Sequence, residues 1–209
     1  MKASDQSEKA LNTEEKIKLA ASKVFIRKGY AATKTRDIAE EAGINIASLH
    51  YYYRSKQKLF DLVIGEALKK FSNGMDDIFG TELPLHQKIT TFVHQYIDFF
   101  KINPYIPVFI MSESQNNPEK VDKLIDNRKL LPKLKKELIA LADKGIIRPI
   151  APTHFLLNVM SLTAFPFIAK PLMSSKMDLT EADYDQILEE RKAVVPEMII
   201  NYLYLEKPF

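Results

Sequence analysis

Apolar residues recur at three- and four-residue spacings from Ile17 almost to the end of the chain, and runs of alternating β-branched residues are rare. That periodicity predicts an all-α protein. The first helix carries the stripe Ile17, Ala20, Ala21, Val24 and Phe25; it can begin at Asn12, with Glu15 three residues on as a reciprocal cap, and Gly29 ends it in the left-handed conformation. A second, short helix is capped by Thr33 or Thr35, runs through Ile38 and Ala39 to Ala42, and stops at Gly43. Only Gly43, Ile44 and Asn45 separate it from a third helix, Ile46 to Tyr52, for which Asn45 is a strong N-cap. Ser55 caps a long fourth helix bearing Leu59, Leu62, Val63, Ala67 and Phe71, a bridge between domains. Beyond Gly80, helices are expected over residues 84–101, 104–114, 119–144, 152–169 and 181–205, several opening at or near a proline, with 114–118 and 174–178 as loops.

Two short helices joined by a three-residue turn containing glycine set the second across the first, the arrangement that projects a helix into the DNA major groove. Ala39 is small where the helices approach, Gly43 supplies the positive φ of the turn, and Ile38, Ile44 and Leu49 can form a small core. A generic helical hairpin would satisfy the same pattern. Charge sharpens the reading: the net +3 is unevenly placed, with 12 Lys and Arg against 7 Asp and Glu in residues 1–60 and 18 against 20 in the rest. The first 60 residues are the candidate for meeting a polyanion, although an excess of this size is also common in ordinary domains.

Composition removes several other classes. With no cysteine there can be no disulfide, zinc finger or thiol nucleophile. No N-terminal apolar run is present, and no later stretch reaches roughly 18 uninterrupted apolar residues, so a soluble, cytoplasmic chain with no membrane partner is expected. His86 and His94 could share a helix face with Thr90 and Asp98, a thin case for a metal or a catalytic pair, since no ligand cluster accompanies them. A glycine-rich phosphate loop, a nucleophile elbow and a paired His-x-x-x-His are all lacking. An enzyme reading has no residue to rest on, and no cofactor is implied.

Gly29-Tyr30, then Thr33-Lys34-Thr35-Arg36-Asp37-Ile38-Ala39-Glu40-Glu41-Ala42-Gly43-Ile44, then Ser48-Leu49-His50-Tyr51-Tyr52-Tyr53-Arg54-Ser55-Lys56-Gln57-Lys58-Leu59-Phe60, closely resembles the TetR family of bacterial repressors. The resemblance covers about residues 12–62. It implies a three-helix DNA-binding domain (12–58) after a flexible arm (1–11), a variable helical ligand-sensing and dimerisation domain (59–209), and release of DNA when a small molecule binds. By position, it implies DNA contacts from Thr35 and Arg36, base-edge proximity for Ile46, Ala47 and Ser48, and phosphate contacts from His50, Tyr51, Tyr52 and Lys56. The chemistry agrees, because hydroxyls, an imidazole, an ammonium and helix N-terminal amides all donate to phosphate oxygens. Ile46 and Ala47 offer only apolar contacts such as packing on a thymine methyl, which shifts sequence reading toward Arg36 and DNA shape. Tyr53, by its family position, is core packing, and Lys34, Arg54 and Lys58 read as solvated charges.

Residues 152–169 have almost no polar face, and a helix apolar all round must be buried all round. A partner subunit is the natural second cover. Phe155, Val159, Leu162 and Phe165 with Leu188, Val195, Ile199 and Tyr202 of the last helix are the expected homodimer interface, a four-helix arrangement that the resemblance also implies. A buried central helix in a monomer remains the alternative. Phe92, Tyr96, Phe99, Phe100, Tyr105 and Phe109, with Met160 from the later helix, could line an apolar pocket for an apolar or amphipathic effector or simply fill the core. The expected function is a dimeric repressor on a palindromic double-stranded operator; a helical protein-interaction module without DNA is the rival reading.

Overall fold

A computed structural model describes residues 2–125, 130–206 and 208, with side chains from Thr13 onward. The described chain is helical: α1 (Lys2–Ala32), α2 (Thr35–Ala42), α3 (Ile46–Tyr52), α4 (Lys56–Gly80), α5 (Leu85–Ile102), α6 (Ile106–Asn116), α7 (Pro118–Leu124), α8 (Leu130–Asp143), α9 (Pro152–Met177) and α10 (Glu181–Leu203). The all-α expectation holds; the one extended pairing among the described residues is an isolated bridge between Ile147 and Tyr204. Contacts divide the chain into two compact units, Met1–Leu68 and Lys69–Phe209, a division that falls inside α4. The helix expected to start at Asn12 runs from Lys2, through the residues 2–11 expected as an arm, whose side chains are outside the described part.

In the first unit, the α1 stripe is buried as the periodicity requires: Ile17, Ala20, Ala21, Val24 and Phe25 are at most 4% exposed. It packs against α2, and α2 against α3. Phe60 of α4 meets the Phe25 ring edge-on, centroids 4.9 Å apart. Side chains of this size each contribute about 1.5–3 kcal/mol on burial, which is what sustains helices as short as α2 and α3. Gly29 does have positive φ (72°), but with ψ 168° it is not in the left-handed helical region; it lies where glycine alone is at ease, and it kinks α1 three residues before its end.

Two expected caps differ. Neither Thr33 nor Thr35 caps α2; the N-cap is Lys34, and the Asp37 carboxylate reaches back to accept from its N–H at 2.8 Å. The Thr33 hydroxyl instead donates to Gly29 O at 2.6 Å, closing the kink. The caps at Asn45 and Ser55 are as read from the sequence, with Ser48 N donating to Asn45 Oδ1 at 2.7 Å and Lys58 N to Ser55 Oγ at 3.2 Å.

In the second unit, α5 buries Leu85, Ile89, Phe92, Val93, Tyr96, Ile97 and Phe100 and packs against both α9 and α10. The single helix expected over 119–144 is two: α7 ends at its C-cap Ile125, whose φ −113°, ψ 90° is extended, and α8 begins at Leu130. The expected loop at 174–178 is also corrected, because α9 continues to Met177 and reverses at Asp178 in the left-handed conformation. It does so through two prolines. Pro166 lacks the N–H that would pair with Leu162 O, and Arg191 of α10 supplies a donor to that carbonyl at 2.5 Å. The Tyr184 hydroxyl donates to Pro166 O at 2.6 Å. Among the described residues, α9 is the helix long and apolar enough in composition to cross a membrane. Phe155, Val159, Thr163 and Phe167 are nonetheless buried within the chain.

Lys101 and Lys192 converge on Glu189, at 2.7 Å each, and Lys192 also reaches Asp98 at 2.6 Å, tying α5 to α10. These ammonium groups hold the Glu189 carboxyl at about 2, below its ordinary 4.5. A carboxylate lowered in the folded state stabilises above its ordinary value and loses that contribution as pH falls through the lowered one. Between pH 4.5 and 2 the melting temperature should therefore fall more steeply in the wild type than in Glu189→Gln, as thermal scans at fixed ionic strength would read. Removing the Leu162 donor with Arg191→Met should cost about 1 kcal/mol in urea unfolding, the low end of the penalty for an orphaned carbonyl because this one is only partly buried.

Candidate nucleic-acid interface

The turn between α2 and α3 is built by Gly43. At φ 67°, ψ 33° it lies in the left-handed region, its N–H donates to Glu40 O at 3.1 Å, and Ile44 N donates to Ala39 O at 3.0 Å. These bonds satisfy the last carbonyls of α2 and aim the chain at the N-cap Asn45. Ile38, Ala39 and Leu49, at 0%, 3% and 1% exposure, hold the two helices from behind. The opposite side of α3 is open: Ile46 is 41% and Tyr51 83% exposed, with Ala47 and His50 exposed beside them. Ser48 is half-buried, and its N–H is occupied by the Asn45 cap. Tyr52 is half-buried, edge-on to Tyr51 with centroids 5.4 Å apart. On α2, Arg36 is exposed and Thr35 half-buried. Among the described residues, no hydrogen bond is made by the Tyr51 hydroxyl or the His50 imidazole, both donors exposed on a seven-residue helix.

Lys56 does not join that open face. Its Nζ donates to Tyr30 O and Thr33 O, each at 2.8 Å, and sits 4.2 Å from the centroid of the Tyr30 ring. Tyr53, expected as core, is 7% exposed with its hydroxyl donating to Glu14 Oε1 at 3.1 Å. Burial, and then that carboxylate, push its pKa well above the usual phenol range.

The basic surplus of the first 60 residues is also redistributed. Lys18 pairs with Glu66, Lys23 and Arg27 with Glu41, and Lys28 with Asp37. The Asp37 carboxyl is lowered first by the Lys34 N–H and then by Lys28. Lys34, Arg36, Arg54 and Lys58, like Lys16 of α1, form no ion pair among the described residues, and the first four lie at the start of α2 and around the α3–α4 turn. Residue type and spacing class three of these four as solvated charges. They do not reveal which lysines α2 and α4 neutralise, because the pairing depends on how α1 lies against them.

In the second unit the aromatic zone is packed on itself. Phe92, Tyr96 and Phe100 are buried, and Phe99, Tyr105 and Phe109 half-buried. Tyr96 and Phe100 are 4.4 Å apart, Phe92 and Tyr96 5.7 Å, and Phe99 stacks at 4.5 Å on Phe71 of α4, a residue absent from the expected lining. Burial carries the Tyr96 hydroxyl far above the ordinary phenol range and Tyr105 up to about 12. Met160 is 39% exposed, on the outer side of α9.

The expected interface residues divide in two. Phe155, Val159, Leu188, Val195 and Ile199 are at most 7% exposed within the single chain and so need no partner to cover them. The amphipathic rule led to them because α9 buries one face and leaves the other apolar as well. Phe165 (58%) and Tyr202 (60%) are open and Leu162 is half-buried. Leu157, Val194 and Met198, outside the eight residues expected at the interface, are 60%, 44% and 53% exposed on the same two helices. A shallow groove of about 220 Å³ between α9 and α10 is lined by Phe155, Asn158, Leu162, Met198 and Tyr202 among others.

The sequence profile of the family described as "Bacterial regulatory proteins, tetR family" matches residues 17–63, which run from the α1 stripe into α4. The chain is 23% identical over 135 residues to the Uncharacterized HTH-type transcriptional regulator YhgD of Bacillus subtilis (strain 168), covering 64% of this chain and 71% of that protein. It is 38% identical over 78 residues to the HTH-type transcriptional repressor KstR2 of Rhodococcus jostii (strain RHA1), 37% of this chain and about a third (34%) of that one. Among solved structures, KstR2 of Mycobacterium tuberculosis superposes with a TM-score of 0.65 at 17% identity over 92% of this chain and 95% of its own. A TetR/AcrR-family regulator of Thermobifida fusca does so with 0.65 at 14% identity over 88% and 97%. At those identities the solved structures establish the fold, while the profile match rests on the same residues that shape the turn and the core behind it. Residues 17–63 thus match the tetR family of bacterial regulatory proteins, and the whole chain shares the fold of the solved structures.

Proposed function

We propose that this transcriptional regulator binds a palindromic double-stranded DNA operator as a homodimer, represses from it, and is released by an apolar or amphipathic small molecule. The observation that carries the reading is the two-sidedness of α3: Leu49 is fully packed while Ile46, Ala47, His50 and Tyr51 face outward on a helix set by the Gly43 turn. In the major groove, Ile46 and Ala47 would meet thymine methyls, and Ser48 would be an undiscriminating hydroxyl. Tyr51, Tyr52 and His50 would donate to phosphates, with Thr35 and Arg36 entering from the start of α2. Such contacts fix register and affinity; sequence preference then leans on Arg36 and on DNA shape.

The apolar side chains left open on α9 and α10, Leu157, Phe165, Val194, Met198 and Tyr202, support dimerisation through these two helices. Two heads so joined would address half-sites about 34 Å apart, one helical turn. An effector acts if it prefers one head spacing over another, and about 1–3 kcal/mol of preference gives a 5–150-fold change in affinity. The aromatic zone is the reading's candidate for the effector, which would have to displace rings now in mutual contact.

Binding of the purified chain to duplexes from around its own coding region, titrated across salt, tests the DNA reading. Tyr52→Phe and Arg36→Ala should each weaken binding, and the arginine substitution, which removes a charge, should also reduce the log–log salt slope by about 0.9. Affinity indifferent to salt and to both substitutions would favour a protein partner instead. For the dimer, sedimentation of the wild type should give twice the 24.0 kDa chain mass, and Phe165→Glu or Tyr202→Glu should return monomers. A wild type that sediments as a monomer at micromolar concentration would exclude it.

A further inference from the structure

The first turn of α5 has a partner 118 residues along the chain. Pro84, its N-cap, supplies no side-chain acceptor, and the amide of a helix's second residue has no carbonyl of its own helix to reach. His86 N instead donates to the Tyr204 hydroxyl at 3.1 Å, and the two rings lie edge-on with centroids 5.9 Å apart. Tyr204 is itself fixed where α10 ends: Arg148 N donates to Leu203 O at 2.7 Å and Leu205 N to Ile146 O at 3.2 Å. Residues 203–205 thereby pair with the segment before α9, and Ile147, Leu203 and Tyr204 are buried in this corner. Two residues further into α5, Lys88 is buried, and its Nζ donates to both carboxylate oxygens of Glu137 on α8 at 3.0 Å. Burial raises the Tyr204 hydroxyl above the ordinary phenol range and the Glu137 carboxylate adds to it, so both holding groups meet at one end of α5.

The remainder of α5 carries rings. Phe92, Tyr96 and Phe100 are buried against Phe71 and Phe79 of α4 and Phe167 of α9. Rings in mutual contact leave no room for another molecule unless α5 draws away from one of those helices. At its far end α5 meets α10 through ion pairs partly open to water, Asp98 with Lys192 and Lys101 with Glu189, which hold weakly. The buried ties are those at its first turn. We infer that the Tyr204 hydroxyl and the Glu137 carboxylate form a latch on the first turn of α5 that keeps the rings behind it closed, and that an apolar effector enters when the latch is released. The inference rests on the reading of the aromatic zone as the effector's place for its consequence, though not for its geometry.

The test compares the full chain with Tyr204→Phe, which keeps the ring and removes the acceptor, and Glu137→Gln, which removes the charge opposite Lys88. Amide hydrogen exchange is followed over residues 85–89, and the uncharged fluorescent probe N-phenylnaphthylamine is titrated. The latch predicts exchange about three- to tenfold faster over 85–89 in each variant, with 195–200 unchanged, and probe affinity raised by a similar factor, because less of the closed state must be given up. Unchanged exchange over 85–89 in both variants would overturn it, as would an equal rise over 195–200, which marks global loosening. Faster exchange over 85–89 at unaltered probe affinity would also overturn it, since the contacts would then be a staple with no bearing on entry. Should one variant melt below the assay temperature by circular dichroism, the other carries both measurements. A probe bound by none of the three proteins would remove the aromatic zone as an effector site, while the exchange data would still decide the hold on α5.

Discussion

Helices of seven and eight residues do not persist in water by themselves, because the nucleation cost exceeds what so few hydrogen bonds return. α3 and α2 therefore depend on what they bury: Ile38 and Ala39 on α2, which packs against α1, and Leu49 on α3, which packs against α2. Everything proposed for the outward face follows from that constraint. Ile46, Ala47, His50 and Tyr51 can be given over to another molecule because none of them is needed to hold the helix in place. The Gly43 turn and the Asn45 cap then set the angle at which that face is shown, using backbone conformation and one side-chain bond.

Local chemistry of this kind was legible in the sequence. A positive φ at Gly43, a cap at Asn45 and another at Ser55 all follow from residue type and spacing within a few positions, while the buried Tyr53 was implied by the family resemblance. What was not legible depends on partners distant along the chain. Thr33 and Thr35 are good capping residues by type, yet Thr33 serves the Gly29 kink and the cap passes to the Lys34 backbone. Lys28 is indistinguishable from Lys34 by composition, but α1 brings only the former against Asp37. The turn from Gly29 was expected from glycine alone, while its ψ of 168° could not be, since glycine tolerates either value.

The second unit shows the same limit more sharply. A helix apolar on every face reads as buried on every face, but periodicity cannot say which face its own chain covers. The structure covers Phe155, Val159, Thr163 and Phe167 and leaves Leu157, Phe165 and Leu172. Likewise the aromatic spacing of α5 is compatible with a lined cavity or a filled core, and the rings of Phe71 and Phe167 that meet it come from α4 and α9, far along the chain. The break at Ile125 and the passage of α9 through its two prolines lay beyond propensity, since proline argues for ending a helix unless something else satisfies the carbonyls it strands.

That satisfaction comes from Arg191, and it makes two distant positions interdependent. With proline at 166, Leu162 O needs the guanidinium; with alanine there, the helix would supply its own N–H and the guanidinium would become surplus. The tolerance of residue 191 to substitution is thus conditional on residue 166. An exchange at one site that is harmful alone could become neutral after an exchange at the other, which gives this helix pair an ordered route through sequence change.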